Sequence, residues 1–270
     1  MDQIGFLGGG NMAEALIKGV IGASIYQAGD ILVSDIRAER LEFLAKTYKV
    51  RTTLNNSELS SAVDTLVLSV KPQNMTDALS SITGSVKEDA LVISIIAGKT
   101  TADIADILGN MAIVRVMPNT PALIGEGVSA LFANNKATSL LDKAVSIFSS
   151  VGKVVVVDGE QMIDAVTAVS GSGPAYFFLL MEEMIKAGIG LGLPEAMVKE
   201  LVLQTAKGAA LLASETEKTD ESPARLREKV TSPGGTTEAA LKVFFDSDFS
   251  RIVSAALGQA RNRSRELSKP

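Results

Sequence analysis

Apolar residues in the first 160 positions gather into short runs separated by stretches of helical spacing. Ile4, Phe6 and Leu7 form one run, which stops at Gly8, Gly9 and Gly10. Leu16, Ile17, Val20 and Ile21 then recur with the period of an amphipathic helix. Residues 31–33 read as a second strand and 38–47 as a second helix. The segment 51–59 is polar, with Asn55-Asn56-Ser57 as a turn and helix cap. Residues 65–70, 91–96 and 112–116 are further β-branched runs. They close at Lys71-Pro72, Ala97-Gly98 and Met117-Pro118-Asn119-Thr120-Pro121, with helical stretches over 73–82 and 101–108 between them. Continuous apolar strands alternating with helices predict a parallel, doubly wound α/β sheet covered on both faces. Two more strand-like runs, 127–133 and 153–158, flank a helix near 139–151 and extend the sheet at one edge.

Near Glu160 the pattern changes, and from Asp164 onward only helical periodicity remains. The expected organisation is an α/β domain over 1–160 and an all-helical domain over 161–270. The second half opens on the small residues of 167–175, TAVSGSGPA, where a backbone or ligand can come close. Residues 176–185 are apolar nearly all round, interrupted by Glu182 and Glu183, which predicts a helix buried on most sides. A later helix over 194–214 carries Gly208-Ala209-Ala210. A small helical domain cannot cover that much apolar surface by itself, so this half is expected to build a dimer interface.

Composition narrows the function. With 46% apolar residues the chain can bury a full core, and its net charge of −5 leaves no basic footprint for nucleic acid. No apolar run is expected to span a bilayer. The first strand begins within a few residues of Met1, leaving no room for a signal peptide, so a cytoplasmic protein is expected. Histidine and cysteine are both absent. Disulfides, thiol nucleophiles and thiolate or imidazole metal sites are thereby excluded, and no metal site is expected. Hydrolases built on Ser-His-Asp and hydroxyacid dehydrogenases that need a histidine drop out as well. Proton transfer falls to a carboxylate, Lys, Tyr, a hydroxyl or water.

Two glycine turns carry the candidate chemistry. The first, Gly8-x-Gly10-x-x-Ala13, is a dinucleotide-binding fingerprint. Gly8 permits the sharp turn, Gly10 lets the backbone approach a pyrophosphate, Ala13 lets helix pack on strand, and the helix N-terminus offers free N–H groups. The second run of candidate strand ends at Ser34-Asp35-Ile36-Arg37, 22 residues after Ala13. A carboxylate there suits the ribose hydroxyls of NAD, and a nearby Arg suits the 2′-phosphate of NADP, so Asp35 and Arg37 leave both open. Asp35 could equally cap the helix that follows. The second turn lies in Val230-Thr231-Ser232-Pro233-Gly234-Gly235-Thr236-Thr237, after a helix started by Ser222-Pro223. Thr236 or Thr237 is expected to cap the next helix, and the turn's N–H groups and hydroxyls suit a carboxylate or phosphate.

Taken together, the motifs IGFLGGGNMA (4–13), VKPQ (70–73), IIAG (95–98), RVMPNTP (115–121), TAVSGSGPAY (167–176) and VTSPGGTTEAAL (230–241) resemble the pyrroline-5-carboxylate reductase family over essentially the whole chain. The resemblance implies a Rossmann domain followed by an all-α domain that exchanges helices with a partner to form a homodimer, which can assemble further. It implies reduction of the cyclic imine Δ1-pyrroline-5-carboxylate to L-proline by NADPH or NADH. Cofactor contacts carry over to Leu7, Gly8, Gly9, Gly10, Asn11, Met12, Ser34, Asp35, Arg37, Asn56, Val70, Lys71, Pro72, Ala97 and Gly98. Substrate contacts carry over to Ser232, Gly234, Gly235, Thr236 and Thr237, with Thr237 the candidate to hydrogen-bond the ring nitrogen or orient a water. Asp35 departs from the Ser, Asn or Arg of many NADPH-preferring members, which leaves the choice of cofactor open.

The chemistry agrees with the absence of histidine. A protonated imine is already electrophilic and needs an anchored carboxylate, a placed hydride donor and excluded water. The resemblance to β-hydroxyacid dehydrogenases is confined to the first half, and their catalytic Lys and Asn are replaced here by Phe177 and Met181. A reductase of another cyclic imine carboxylate and a non-catalytic dinucleotide sensor are the other readings; the intact 232–237 turn argues against the sensor.

Overall fold

The computed structural model describes residues 2–216 and 221–267. Its strands are β1 (Ile4–Leu7), β2 (Ile31–Ser34), β3 (Arg51–Thr53), β4 (Thr65–Leu68), β5 (Leu91–Ser94), β6 (Ala112–Met117), β7 (Gly127–Ala133) and β8 (Gly152–Val156). They form one sheet in the order β3-β2-β1-β4-β5-β6-β7-β8. The first six are parallel, β7 runs antiparallel to β6, and β8 is parallel to β7. Helices α1 (Asn11–Gly22), α2 (Ala38–Tyr48), α3 (Asn56–Ala62), α4 (Met75–Ser80), α5 (Thr101–Leu108) and α6 (Leu141–Ser149) connect them. The sheet is the doubly wound one that the alternation of strands and helices predicts. Strand order reverses between β1 and β4, the switch point outside whose carboxyl ends such sheets bind ligands.

Period-two alternation divides the core into two layers. Ile4 and Phe6 of β1 pack with Leu16, Ile17 and Val20 of α1, while Leu7 packs with Leu59, Leu79 and Ile104 on the opposite face. Burying each such side chain contributes roughly 1.5–3 kcal/mol. Strand β3 was not expected, because residues 51–59 look polar. It is a three-residue edge strand beside β2, with Arg51 exposed, so it needs no apolar alternation. Asn55 does cap α3, accepting from the N–H groups of Ser57 and Glu58.

The second half continues as α7 (Met162–Val166), a single π turn (Thr167–Gly171), α8 (Gly173–Gly190), α9 (Glu195–Thr216), α10 (Pro223–Lys229), α11 (Thr236–Asp246) and α12 (Phe249–Leu267). Two compact units result: Met1–Pro174 with Gln259–Pro270, and Ala175–Gly258. The first contains the sheet. Two expectations need correction here. The helical run Met162–Gly190 is, by length and composition, apolar enough to cross a bilayer, because its few charged residues are diluted over 29 positions. The stretch 176–185 is not buried within one chain: Phe177, Phe178 and Leu179 are 66%, 61% and 57% exposed.

Candidate active site

The first glycine turn joins β1 to α1. Gly8 has φ +101, and a Cβ there would lie 2.9 Å from the carbonyl oxygen of Ser69, so the turn admits only glycine. Its N–H donates to the Ser34 carbonyl at 2.8 Å, and the Gly9 N–H donates to Asp35 Oδ2 at 2.8 Å. Ser69 ties the turn to β4, its hydroxyl donating to the Gly8 carbonyl at 2.7 Å. Gly10, in extended conformation, is the N-cap of α1. Nothing lies within 4 Å of where its Cβ would be. With Gly8 and Gly9 engaged internally, the N–H groups left at this helix start are those of Gly10, Asn11, Met12 and Ala13, which have no protein acceptor among the described residues. Open space over Gly10 and unpaired N–H groups fit a pyrophosphate.

Asp35 lies just beyond β2. Its Oδ1 accepts from the Arg37 N–H and Nε, and its Oδ2 from Arg37 Nη2 at 3.1 Å as well as from Gly9. Burial opposes its charge, but hydrogen bonds from the Arg37 guanidinium and from the Arg37 and Gly9 N–H groups hold the carboxyl below the usual carboxylate range. Asp35 is therefore not the cap of α2; Arg37 occupies that position without a side-chain cap. Ser34 and Asn56 come together at the same edge, the Ser34 hydroxyl donating to the Asn56 amide oxygen while Asn56 Nδ2 donates to Ser81 Oγ at 2.9 Å.

The remaining first-unit candidates follow the neighbouring strands. Val70, Lys71 and Pro72 lie beyond β4, with Lys71 exposed. Ala97 and Gly98 lie beyond β5. Gly98 has φ +70 and is packed so closely on Leu267 of α12 that a Cβ would sit 2.7 Å from the leucine Cβ. The adjoining segment is held by Glu160, whose carboxylate accepts from the Thr101 N–H at 2.7 Å, the Thr101 hydroxyl at 2.9 Å and Arg115 at 3.2 Å. Thus the cofactor candidates from Leu7 to Gly98 lie at or just beyond the carboxyl ends of β1 to β5, Asn56 following β3 and bonded to Ser34 at the end of β2.

The second glycine turn lies in the other unit. Pro233 and Gly234 (φ +72) form the corner of a turn closed by the Gly235 N–H donating to the Ser232 carbonyl at 3.0 Å. A Cβ on Gly235 would fall 2.5 Å from Ser232 Oγ. The Gly234 N–H donates to Glu238 Oε2 at 2.8 Å. Gly235, not Thr236 or Thr237, is the N-cap of α11, because Thr236 is already helical, and no side chain caps the helix. The glycine N–H groups are thus engaged, and those of Thr236 and Thr237 start the helix beside the hydroxyls of Ser232, Thr236 and Thr237. A cavity of about 660 Å³ runs along this turn, lined by Arg227, Thr231, Gly234, Glu238 and Phe245 among others.

Three residues, Ser69, Arg40 and Glu160, lie outside the quoted motifs, and Glu238 lies inside one without a role read for it; Arg40, on α2, donates to the Gly9 carbonyl and pairs with Glu14. For Arg40 a signal existed. Glu14 lies in the first turn of α1, where the helix dipole favours it, but beside a candidate anion site it repels the anion unless a cation pairs with it.

A family model described as pyrroline-5-carboxylate reductase dimerisation matches residues 160–267, and one described as NADP oxidoreductase, coenzyme F420-dependent, matches residues 3–98. A pyrroline-5-carboxylate reductase of Pseudomonas aeruginosa is 44% identical over 269 residues, covering 99% of this chain and 97% of its own. A solved pyrroline-5-carboxylate reductase from Coxiella burnetii superposes with a TM-score of 0.90 at 40% identity, covering 100% of this chain and 99% of its own. A Plasmodium falciparum pyrroline carboxylate reductase solved with NADP bound gives 0.87 at 32% identity, covering 99% and 98%.

Proposed function

The chain belongs to the pyrroline-5-carboxylate reductase family, and from that premise we propose how its own residues serve the reaction. It is an NAD(P)H-dependent oxidoreductase that reduces Δ1-pyrroline-5-carboxylate to L-proline, in proline biosynthesis. Reduced nicotinamide supplies the hydride to the imine carbon, and a proton on the imine nitrogen completes the secondary amine. The observation that carries the residue assignment is the pair of glycine turns, each with two glycine N–H groups engaged and its following helix start open.

In this reading the N–H groups of Gly10, Asn11 and Met12 hold the pyrophosphate, with Leu7, Gly8 and Gly9 shaping the turn. Ser34, Asp35, Arg37 and Asn56 serve the adenosine ribose. Val70, Lys71, Pro72, Ala97 and Gly98 border the nicotinamide half. The Thr236 and Thr237 N–H groups and the Ser232 hydroxyl anchor the substrate carboxylate, with Gly234 and Gly235 shaping the loop. The Thr237 hydroxyl orients the proton donor at the ring nitrogen; a threonine hydroxyl is too weak an acid to be the donor by itself. Residues 1–160 form the nucleotide domain and 161–270 the substrate and dimerisation domain.

The protein acts as a homodimer, able to assemble further, in the cytoplasm. Supporting self-association are the dimerisation match over residues 160–267 and the exposed Phe177, Phe178 and Leu179 of α8.

The test is oxidation of NADPH and of NADH, each with racemic pyrroline-5-carboxylate and with a six-membered cyclic imine carboxylate. Turnover of the five-membered ring in preference to the six-membered one is expected. Folded protein that binds cofactor and turns over neither would overturn the reading.

A further inference from the structure

We propose that Arg40 is a positioning residue for the dinucleotide, holding the Gly9 peptide carbonyl of the first glycine turn away from the pyrophosphate and cancelling the charge of Glu14 beside it. The proposal rests on the reading of that turn as the cofactor site. Arg40 projects from α2. Its Nε donates to the Gly9 carbonyl, one Nη lies 3.4 Å from the Gly10 carbonyl, and the same Nη pairs with Glu14 Oε2. The other Glu14 oxygen accepts from the Tyr48 hydroxyl at 2.9 Å. The guanidinium also lies over the Phe43 ring, 5.1 Å from its centroid. The Arg40 and Glu14 side chains are only 16% and 24% exposed, so water screens their charges weakly.

Gly9 is consequently held from both sides, its N–H by Asp35 and its carbonyl by Arg40. That orientation leaves the next N–H groups free for an anion. Glu14 sits in the first turn of α1, where an unpaired carboxylate would repel a bound pyrophosphate. Arg40 removes that repulsion and keeps the Gly9 carbonyl directed at itself, while the Gly10 carbonyl also accepts the Glu14 N–H at 2.9 Å. Its donors point into the turn and to Glu14, which makes it a brace and not a ligand of the 2′-phosphate.

The experiment is titration of the full chain and its variants with NADPH and with NADH, followed by nicotinamide fluorescence, beside steady-state kinetics and thermal melting. Arg40→Met is expected to weaken both cofactors equally, by about tenfold, the worth of a charge-assisted hydrogen bond. The KM for pyrroline-5-carboxylate should stay unchanged. Adding Glu14→Gln to Arg40→Met should recover part of the loss. Arg40→Lys, which keeps the charge but cannot span both carbonyls and the carboxylate, should fall between and keeps the test alive should Arg40→Met fold poorly. Unchanged cofactor affinity would overturn the proposal. So would a loss confined to NADPH, which would make Arg40 a 2′-phosphate ligand, and so would a parallel rise in the substrate KM with a lowered melting temperature, which would make it merely structural. Cofactor titration needs no substrate, so failure to reduce pyrroline-5-carboxylate would overturn the assigned reaction without touching this result.

Discussion

In the first glycine turn the Gly9 N–H is taken by Asp35, a carboxylate 26 residues away; in the second the Gly234 N–H is taken by Glu238, four residues on and in the helix that the turn starts. Both carboxylates orient a glycine peptide and leave the next helix N–H groups open. They differ in range and in charge balance. Asp35 is paired with Arg37, and the turn is braced again by Arg40 and Ser69, so its geometry depends on β2, α2 and β4 being in place. Glu238 has no ion pair among the described residues and is set by its own helix. The first turn is therefore preorganised by tertiary structure and close to neutral. The second is preorganised locally and keeps a negative charge next to the proposed anchor of an anionic substrate.

The largest effect that would sharpen this contrast concerns Thr237, the proposed chemical end of the second turn. Thr237→Ala should lower turnover about a hundredfold and leave NADPH affinity, measured by fluorescence, as in wild type; unchanged turnover would remove Thr237 from the mechanism. At the opposite turn, Asp35→Ser should move the kcat/KM ratio towards NADPH by about tenfold, since the carboxylate proposed to meet the adenosine ribose, and to repel a 2′-phosphate there, is gone. An unmoved ratio would mean Asp35 serves only as a brace.

Glu238 separates acceptor from charge. Glu238→Ala should raise the KM for pyrroline-5-carboxylate about fivefold, the worth of one hydrogen bond. Glu238→Gln, which keeps an acceptor for Gly234 and removes the charge, should match or lower the wild-type value. Equal kinetics for all three proteins would break the parallel between the turns. The smallest effect is on stability in acid. The Asp35 carboxyl titrates below its ordinary value of 3.8 in the folded chain. Its contribution to stability is fully present above that value and is lost as pH falls through the lowered one. Asp35→Asn should flatten the acid limb of a plot of melting temperature against pH; an identical limb would show that the Arg37 pairing contributes nothing to folding.

Several of these features were legible in the chain itself, for local reasons. The strand–turn–helix at residues 4–13 could be read because Gly8, with φ +101, has a conformation only glycine readily takes. The Ser222 cap and Pro223 start of α10 are likewise written in adjacent residues. Strand β3 was not legible, since an edge strand of three polar residues carries no alternation. Nor was the cap of α11, where the threonines suggest a cap and Gly235 takes the position. The apolar circumference of α8 was plain from the sequence, but its burial was not. Phe177 and Phe178 stay mostly exposed among the described residues of one chain, and apolarity alone does not say whether the cover comes from the same chain.

By itself the sequence determined the strand–helix alternation, the two glycine turns, and the exclusion of histidine and cysteine chemistry, because periodicity, special backbone angles and functional-group inventory are local properties. Its six motifs also determined the family. Only the tertiary structure decided which N–H groups remain free for anions, that Asp35 is tied to Gly9, and that Arg40 faces Gly9, Gly10 and Glu14. The reason is physical: hydrogen bonds between residues 26 to 31 positions apart form only after parallel strands are paired and helices packed on them, and no local pattern encodes which partners that packing brings within reach.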